Sequence, residues 1–344
     1  MKNTKMNNTE GKQTVIFNFL LANLLLLFIF GCDKSTQATG GHFTDTSVNN
    51  LAEQATQIIL EGLADEDPRV RANAIEVVAA TRQIQLMPKV EGLLADELVP
   101  VRFAAALAVG DTEYRPAERL IRRLLKAPDE NTKIAAAYAM SKLGSPDSLR
   151  PVRKAIASKD QTVRANAIIL LGKSGNKSAL ELLQWAQQDI NSDDKVKFQA
   201  LEARARLGDE QIFPRLWAIV FSTYADDRVM GIKAMGALGT EKAKNVLITK
   251  LDDEVLEVRL AAAEQLGLLG NNEGEPEVLD ALTKNLTADL DKQGCERVNV
   301  FTALAIGQIG TEPLKKYLPR LLKDKSKFVR IAAAKAVFQC IKKD

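Results

Sequence analysis

From about Asn50 to the C-terminus, apolar residues recur at helical spacing between short polar turns. In LAEQATQIILEGL they fall at 51, 55, 58, 59, 60 and 63, one stripe of a helix. The turn that follows, DEDPRVR, puts Pro68 in the first turn of the next helix, where its missing N–H costs nothing. The pattern then repeats. In ASKDQTVRANAIILLGKSG, Asp160 precedes Val163-Arg164, Ala167 follows, and Gly175 stands eleven residues after the arginine. The position of Arg164, used as a mark, recurs at Arg71, Arg102, Lys133, Lys197, Arg228, Arg259, Asn299 and Arg330. The steps are 31, 31, 31, 33, 31, 31, 40 and 31 residues. A period of this length predicts stacked helical hairpins, each unable to bury its apolar face alone. The fold class is therefore all-α, a right-handed α-solenoid of nine hairpins, with the second helix of each starting near the mark.

Aligned on the mark, the columns have distinct chemistry. Three residues on stand Ala74, Ala105, Ala136, Ala167, Ala200, Gly231, Ala262, Thr302 and Ala333, small side chains that suit close helix approach. Eight residues on, five hairpins carry glycine (Gly110, Gly172, Gly236, Gly267 and Gly307), and a helical glycine costs about 1 kcal/mol unless packing demands it. Valine precedes the mark in seven hairpins. Six residues before the mark, Asp65, Asp96, Asp253 and Asp324 lie in turns, with Ser158, Asn191 and Ser222 elsewhere. Such an Asp is placed to accept hydrogen bonds from the turn backbone or from an arginine one hairpin away.

These columns resemble the HEAT repeat, and the 31-residue period resembles its phycobilisome-lyase-like subclass. The resemblance implies a ladder of hydrogen bonds between turn Asp and Arg, weaker at Lys133, Lys197 and Asn299. Bilin attachment and iron-dependent hydroxylation occur in HEAT-like relatives. Hydroxylation needs His-Glu pairs that this chain lacks, and export argues against bilin attachment.

Residues 1–31 read as a leader. Lys2, Lys5 and Lys12 are basic, and Val15 to Phe30 is apolar apart from Asn18 and Asn23, short for a membrane span of about 20 residues. Ile29-Phe30-Gly31-Cys32 resembles a bacterial lipobox, which implies acylation (palmitate among the chains) at Cys32 and export to the periplasmic side of the cell envelope. Residues 32–49 then form the lipidated cysteine and a flexible tether, and 50–344 the solenoid. Loss of the leader takes the net charge from +3 to +1, by removing three lysines and Glu10, so long-range attraction to nucleic acid is weak.

Candidate chemistry is sparse. His42, the only histidine, lies in the tether, no cluster has metal-ligand spacing, and no folded Ser or Cys has a histidine to activate it. Ser174 and Lys177 form a Ser-x-x-Lys string within a turn. Cys295 and Cys340 lie about 14 residues of helix axis apart in level, too far for a disulfide, and are expected as buried small hydrophobes. No cofactor, no catalytic residue and no small-molecule substrate are expected. The partner expected is another envelope protein or peptide, with the membrane reached through the lipid. An accessory subunit of an envelope enzyme complex is the alternative.

The binding surface is expected on the second helices, where a 100° turn per residue brings positions +2, +5 and +9 to one face. Leu107, Tyr138 and Ile169 make an apolar stripe there, beside Ala104 and Ala135 and edged by Lys142, Lys173 and Arg206. An open face of this kind suits an amphipathic helix or an acidic peptide. A superhelix curled tightly enough would bury the stripe in itself. The long steps, with residues added around 189–194 and within 271–294, mark either candidate recognition loops or neutral loop growth.

Overall fold

The computed structural model describes residues 45–343 apart from 285 and 289. The leader, Cys32, His42 and most of the tether lie outside the described residues. Among those described there is no strand.

The helices alternate between an outer and an inner layer. The first three hairpins are α1 (Asp45–Leu63) with α2 (Pro68–Ala80), α3 (Met87–Gly92) with α4 (Val99–Thr112), and α5 (Glu118–Leu124) with α6 (Glu130–Lys142). The next three are α7 (Arg150–Ala155) with α8 (Gln161–Lys173), α9 (Leu180–Gln188) with α10 (Asp194–Arg206), and α11 (Phe213–Val220) with α12 (Ala225–Leu238). Then come α13 (Glu241–Thr249) with α14 (Leu256–Leu268), and α15 (Glu275–Thr283) with α16 (Lys292–Ile309). The ninth outer helix is split into α17 (Glu312–Lys315) and α18 (Leu318–Leu321), ahead of α19 (Lys327–Lys343). Helix α1 begins five residues before the expected tether boundary, so 45–49 are helical.

Turn chemistry sets the inner-helix starts. The Asp129 carboxylate accepts from the Thr132 amide at 2.7 Å, and Asp160 and Asp193 cap α8 and α10 in the same way. At the other end Gly239 and Gly310, at φ 65° and 73°, reverse the chain after α12 and α16.

Inner helices are buried almost all round: every residue from Ile134 to Met140 in α6 is. One side faces the outer helix, two flank neighbouring inner helices, and the fourth faces the middle of the stack. The glycine column makes the lateral contacts possible. A Cβ on Gly172 would come within 2.8 Å of Ala203 Cβ, and one on Gly110 within 3.0 Å of Ala139 Cα. The small column at +3 serves the other side, since a Cβ on Gly231 would meet Val220 Cγ2 of its own outer helix at 2.8 Å.

The stack closes on itself. Helix α19 packs against both α1 and α2, so the ninth hairpin meets the first. At this seam Lys327 Nζ lies 2.7 Å from Asp65 Oδ2, and Lys335 Nζ lies 2.9 Å from Glu76 Oε1. The Arg69 guanidinium covers the Phe328 ring, and a Cβ on Gly62 would sit 3.3 Å from Ile331 Cδ1. The solenoid is therefore a ring, and the face expected to be concave and open lines its centre.

Candidate functional site

The arginines at the mark are structural. Arg71, Arg102, Arg228 and Arg259 each hold their own turn and reach the next hairpin. Arg71 donates from Nη1 to the Asp65 carbonyl at 2.8 Å and from Nη2 to Asp96 Oδ1 at 3.0 Å. Arg228 does the same with the Ser222 carbonyl and with Asp253 Oδ1, at 3.1 and 2.8 Å. Asn299 makes a longer bond to Asp324, 3.3 Å, in keeping with a weak rung.

Three rungs use acids outside the expected column. Arg102 bonds Asp129, the cap of the next inner helix. Arg164 bonds Asp189 rather than a group at Asn191, because the two extra residues of the 33-residue step displace the acid by that amount. Hydrogen bonds from Arg164 and the Asn191 amide hold the Asp189 carboxyl below its usual range. Arg259 pairs with Glu277 of the next outer helix at 2.8 Å.

Positions +5 and +9 share a face, as the helical geometry demands, but that face is not an open groove. Leu107, Tyr138 and Ile169 are 4%, 1% and 9% exposed. Lys173 is buried, while Lys142 and Arg206 are half-buried. The Tyr138 hydroxyl donates to Asp111 Oδ1 at 2.7 Å, Lys173 Nζ is 3.0 Å from Asp111 Oδ2, and Arg206 pairs with Glu202 at 2.8 Å. The physical reason is closure: close inner-helix packing along the glycine column curves nine hairpins until the first and last meet, and the stripe is sealed inside.

The same two columns in the remaining hairpins supply Glu76, Glu202, Lys233, Glu264 and Lys335. They converge on one centre, where Lys233 feels the charges of Glu264, Glu202, Lys335 and Glu76, drawn from hairpins on both sides of the seam. Burial pushes Lys233 down to about 8, against the pull of Glu264. Burial likewise raises the Glu76 and Glu264 carboxyls despite Lys335 and Lys233. Burial, and then Asp111, drive the Tyr138 phenol well above its ordinary value. Both Glu264 carboxylate oxygens are buried without a hydrogen-bond partner, and the Lys233 ammonium stands 5.5 Å from the Phe301 ring centre. These charges were legible in sequence as a +5 column of mixed sign, a pattern that suits mutual pairing better than a ligand surface.

Other candidate chemistry resolves into local structure. Ser174 Oγ donates to the Leu171 carbonyl at 2.7 Å, whereas Lys177 is exposed. Cys295 and Cys340 are not joined in a disulfide. Cys340 is buried as expected, but Cys295 is only half-buried, its Sγ near the Thr287 carbonyl. No group of three or more His, Cys, Asp or Glu placed to hold a metal occurs among the described residues. In the 33-residue step, Gln161 straps the turn through the Asn191 carbonyl and the Asp193 amide, both at 3.1 Å. In the 40-residue step part of the addition lengthens α16 to 18 residues, and Arg297 on it reaches back to Asp226 at 2.9 Å.

The sequence model of the family described as HEAT repeats matches residues 90–162, 149–228 and 214–295. The chain is 24% identical over 318 residues to Integrator complex subunit 4 of Xenopus laevis. That match covers 89% of this chain but only 30% of the length of the frog protein. Among solved structures, the CpcE–CpcF complex of phycocyanin lyase from Nostoc sp. PCC7120 is similar at 17% identity and TM-score 0.43, covering 80% of this chain and 99% of that one. Human deoxyhypusine hydroxylase is similar at 18% identity and TM-score 0.37, covering 77% and 99%.

Proposed function

The chain belongs to the HEAT repeat family, and on that premise we propose that it is a membrane-anchored, non-catalytic scaffold for protein–protein interaction in the bacterial cell envelope. HEAT repeat proteins in general bind protein partners. The observation that carries the reading is a ring whose centre is closed off, with Lys173, Arg206 and Lys335 paired internally to Asp111, Glu202 and Glu76, which leaves the outer helices and turns as the surface a partner meets. The frog relative is by name a subunit of a complex, and a component role of that kind is what we carry over. Anchoring is read from the lipobox-like Ile29-Phe30-Gly31-Cys32, with the ring facing the periplasm.

Two measurements test the proposal separately. Replacing Cys32 with Ser is expected to abolish metabolic acyl labelling and to release the protein from membranes. Labelled palmitate that still enters the Cys32→Ser protein sinks the anchor. Affinity capture from detergent-solubilised envelopes is expected to retrieve a stoichiometric protein partner, and capture of none sinks the scaffold.

A further inference from the structure

The outer layer is not uniform around the ring. In α5, the positions eleven and ten before the mark are Arg122 and Arg123, and in α7 they are Arg153 and Lys154. One hairpin on, allowing for the two residues added in the turn, the corresponding place is Trp185. One further on, it is Trp217. At these two adjacent positions four consecutive outer helices are thus basic over two hairpins and carry one tryptophan each over the next two.

Each half extends beyond these positions. Helices α5 and α7 together carry six cations and one carboxylate, Glu118, which is paired with Arg122 at 2.7 Å. On the aromatic side, Trp185 and Trp217 are 44% and 49% exposed, Phe221 47%, Tyr224 72% and Ile190 91%. Ile190 and Phe221 lie in adjacent turns. Trp217 and Phe221 stack with centroids 4.7 Å apart, and Arg164 and Lys250 lie against the Trp185 and Phe221 rings at 4.9 and 3.9 Å. The patch is therefore held in place while most of its area stays uncovered. Helix α15, well round the ring, carries Glu275, Glu277 and Asp280 and no cation.

We propose that the outer face of hairpins three to six is a membrane-contact surface that lies against an anionic bilayer. This rests on the membrane-anchored reading above and adds the orientation of the ring. Tryptophan and tyrosine favour the headgroup level, where the ring body is apolar and the polar tip stays wet. Arginine and lysine beside them gain from the negative surface potential, and the acidic α15 is turned away from it. A basic patch is also the kind of second signal that makes a lipid anchor stable. Chain length permits the arrangement: the 12 residues from 33 to 44 separate Cys32 from α1. Fully extended they reach only about 40 Å, which keeps the ring close to its lipid.

The chain's only two tryptophans both lie in this patch, so intrinsic fluorescence reports on it directly. The experiment is flotation of the full-length lipidated protein with anionic phospholipid vesicles, with and without bromine on the upper acyl chain. The expected result is co-flotation with blue-shifted emission, most of it quenched by the brominated lipid. Replacing Arg122, Arg123 and Lys154 by Glu, all exposed and so compatible with an unchanged melt, is expected to restore the emission while the anchor still floats. Co-flotation with unquenched tryptophans overturns the surface and leaves the anchor standing. No co-flotation overturns both. Quenching that persists in the Cys32→Ser protein supports the surface and counts against the anchor as the sole attachment. Tryptophans that stay unquenched on vesicles, but become shielded from iodide when an envelope protein fraction is added, assign the patch to a protein partner and overturn the proposal.

Discussion

Eleven residues after the mark, eight hairpins turn the backbone left-handed. Six of them use glycine there, but Arg82 and Glu113 hold φ of 53° and 54° with a side chain in place. That conformation costs an L-residue about 1–2 kcal/mol. Glu113→Gly is therefore expected to stabilise the protein by about 1 kcal/mol, part of the relief being offset by the freer unfolded chain. Gly239→Ala should lose about as much, and denaturant unfolding of the two variants checks both signs. Lys233 makes a second residue-scale test. Its folded value of about 8 lies below the ordinary 10.5, so above pH 8 the unfolded chain binds more protons and stability rises with pH. Between pH 8 and 10 the contribution of Lys233 is expected to reach about 2 kcal/mol. Lys233→Met should flatten that slope. A slope unchanged by the substitution would mean that the ammonium is not buried as described.

At the scale of the helices and turns, the ladder joins elements that packing alone would leave free to slide. The Arg228 and Asp253 side chains are 7% and 6% exposed, so removing one partner leaves the other charge buried. Arg228→Ala is expected to cost about 3–5 kcal/mol in chemical unfolding, and Arg164→Ala to destabilise as well. Arg330 bonds only its own turn, through the Asp324 and Lys325 carbonyls, and Arg330→Ala should cost clearly less. Equal losses at Arg164 and Arg330 would argue against inter-hairpin rungs as the source of the stability. This part of the structure was legible in the sequence because the mark, the turn acids and the glycines recur in step. Individual rungs were less so. Counting back six residues led to Asn191, whereas the acid that Arg164 meets is Asp189, since an insertion shifts the count without moving the site in space. Asp129 was hidden because one side chain both caps α6 and receives Arg102.

For the whole molecule, the decisive property is the sum of small rotations between hairpins, which no single column displays. Nine hairpins close only if each turns by about 40°, and a few degrees fewer would leave the open groove expected from the +5 column. The sequence carries that information only indirectly, in Gly110, Gly172, Gly236, Gly267 and Gly307 and in the charges of mixed sign. The seam is then where the first and last hairpins meet without a connecting turn, and it is the natural place for the ring to part. Ile331 fills the space before Gly62, and Lys327 and Lys335 pair across to Asp65 and Glu76. Ile331→Asp would put a carboxylate into an apolar contact near two acids, yet it leaves the other eight inter-hairpin contacts untouched. The expected outcome is an opened solenoid, with a larger radius of gyration in small-angle X-ray scattering and full helical circular dichroism. In that state Leu107, Tyr138 and Ile169 would meet solvent, and binding of a hydrophobic dye should rise. An unchanged radius with an intact fold would mean that curvature set within the other hairpins closes the ring without help from the seam. Loss of helicity together with closure would mean instead that the ring folds as one cooperative unit, because a nearest-neighbour stack would survive the loss of a single contact.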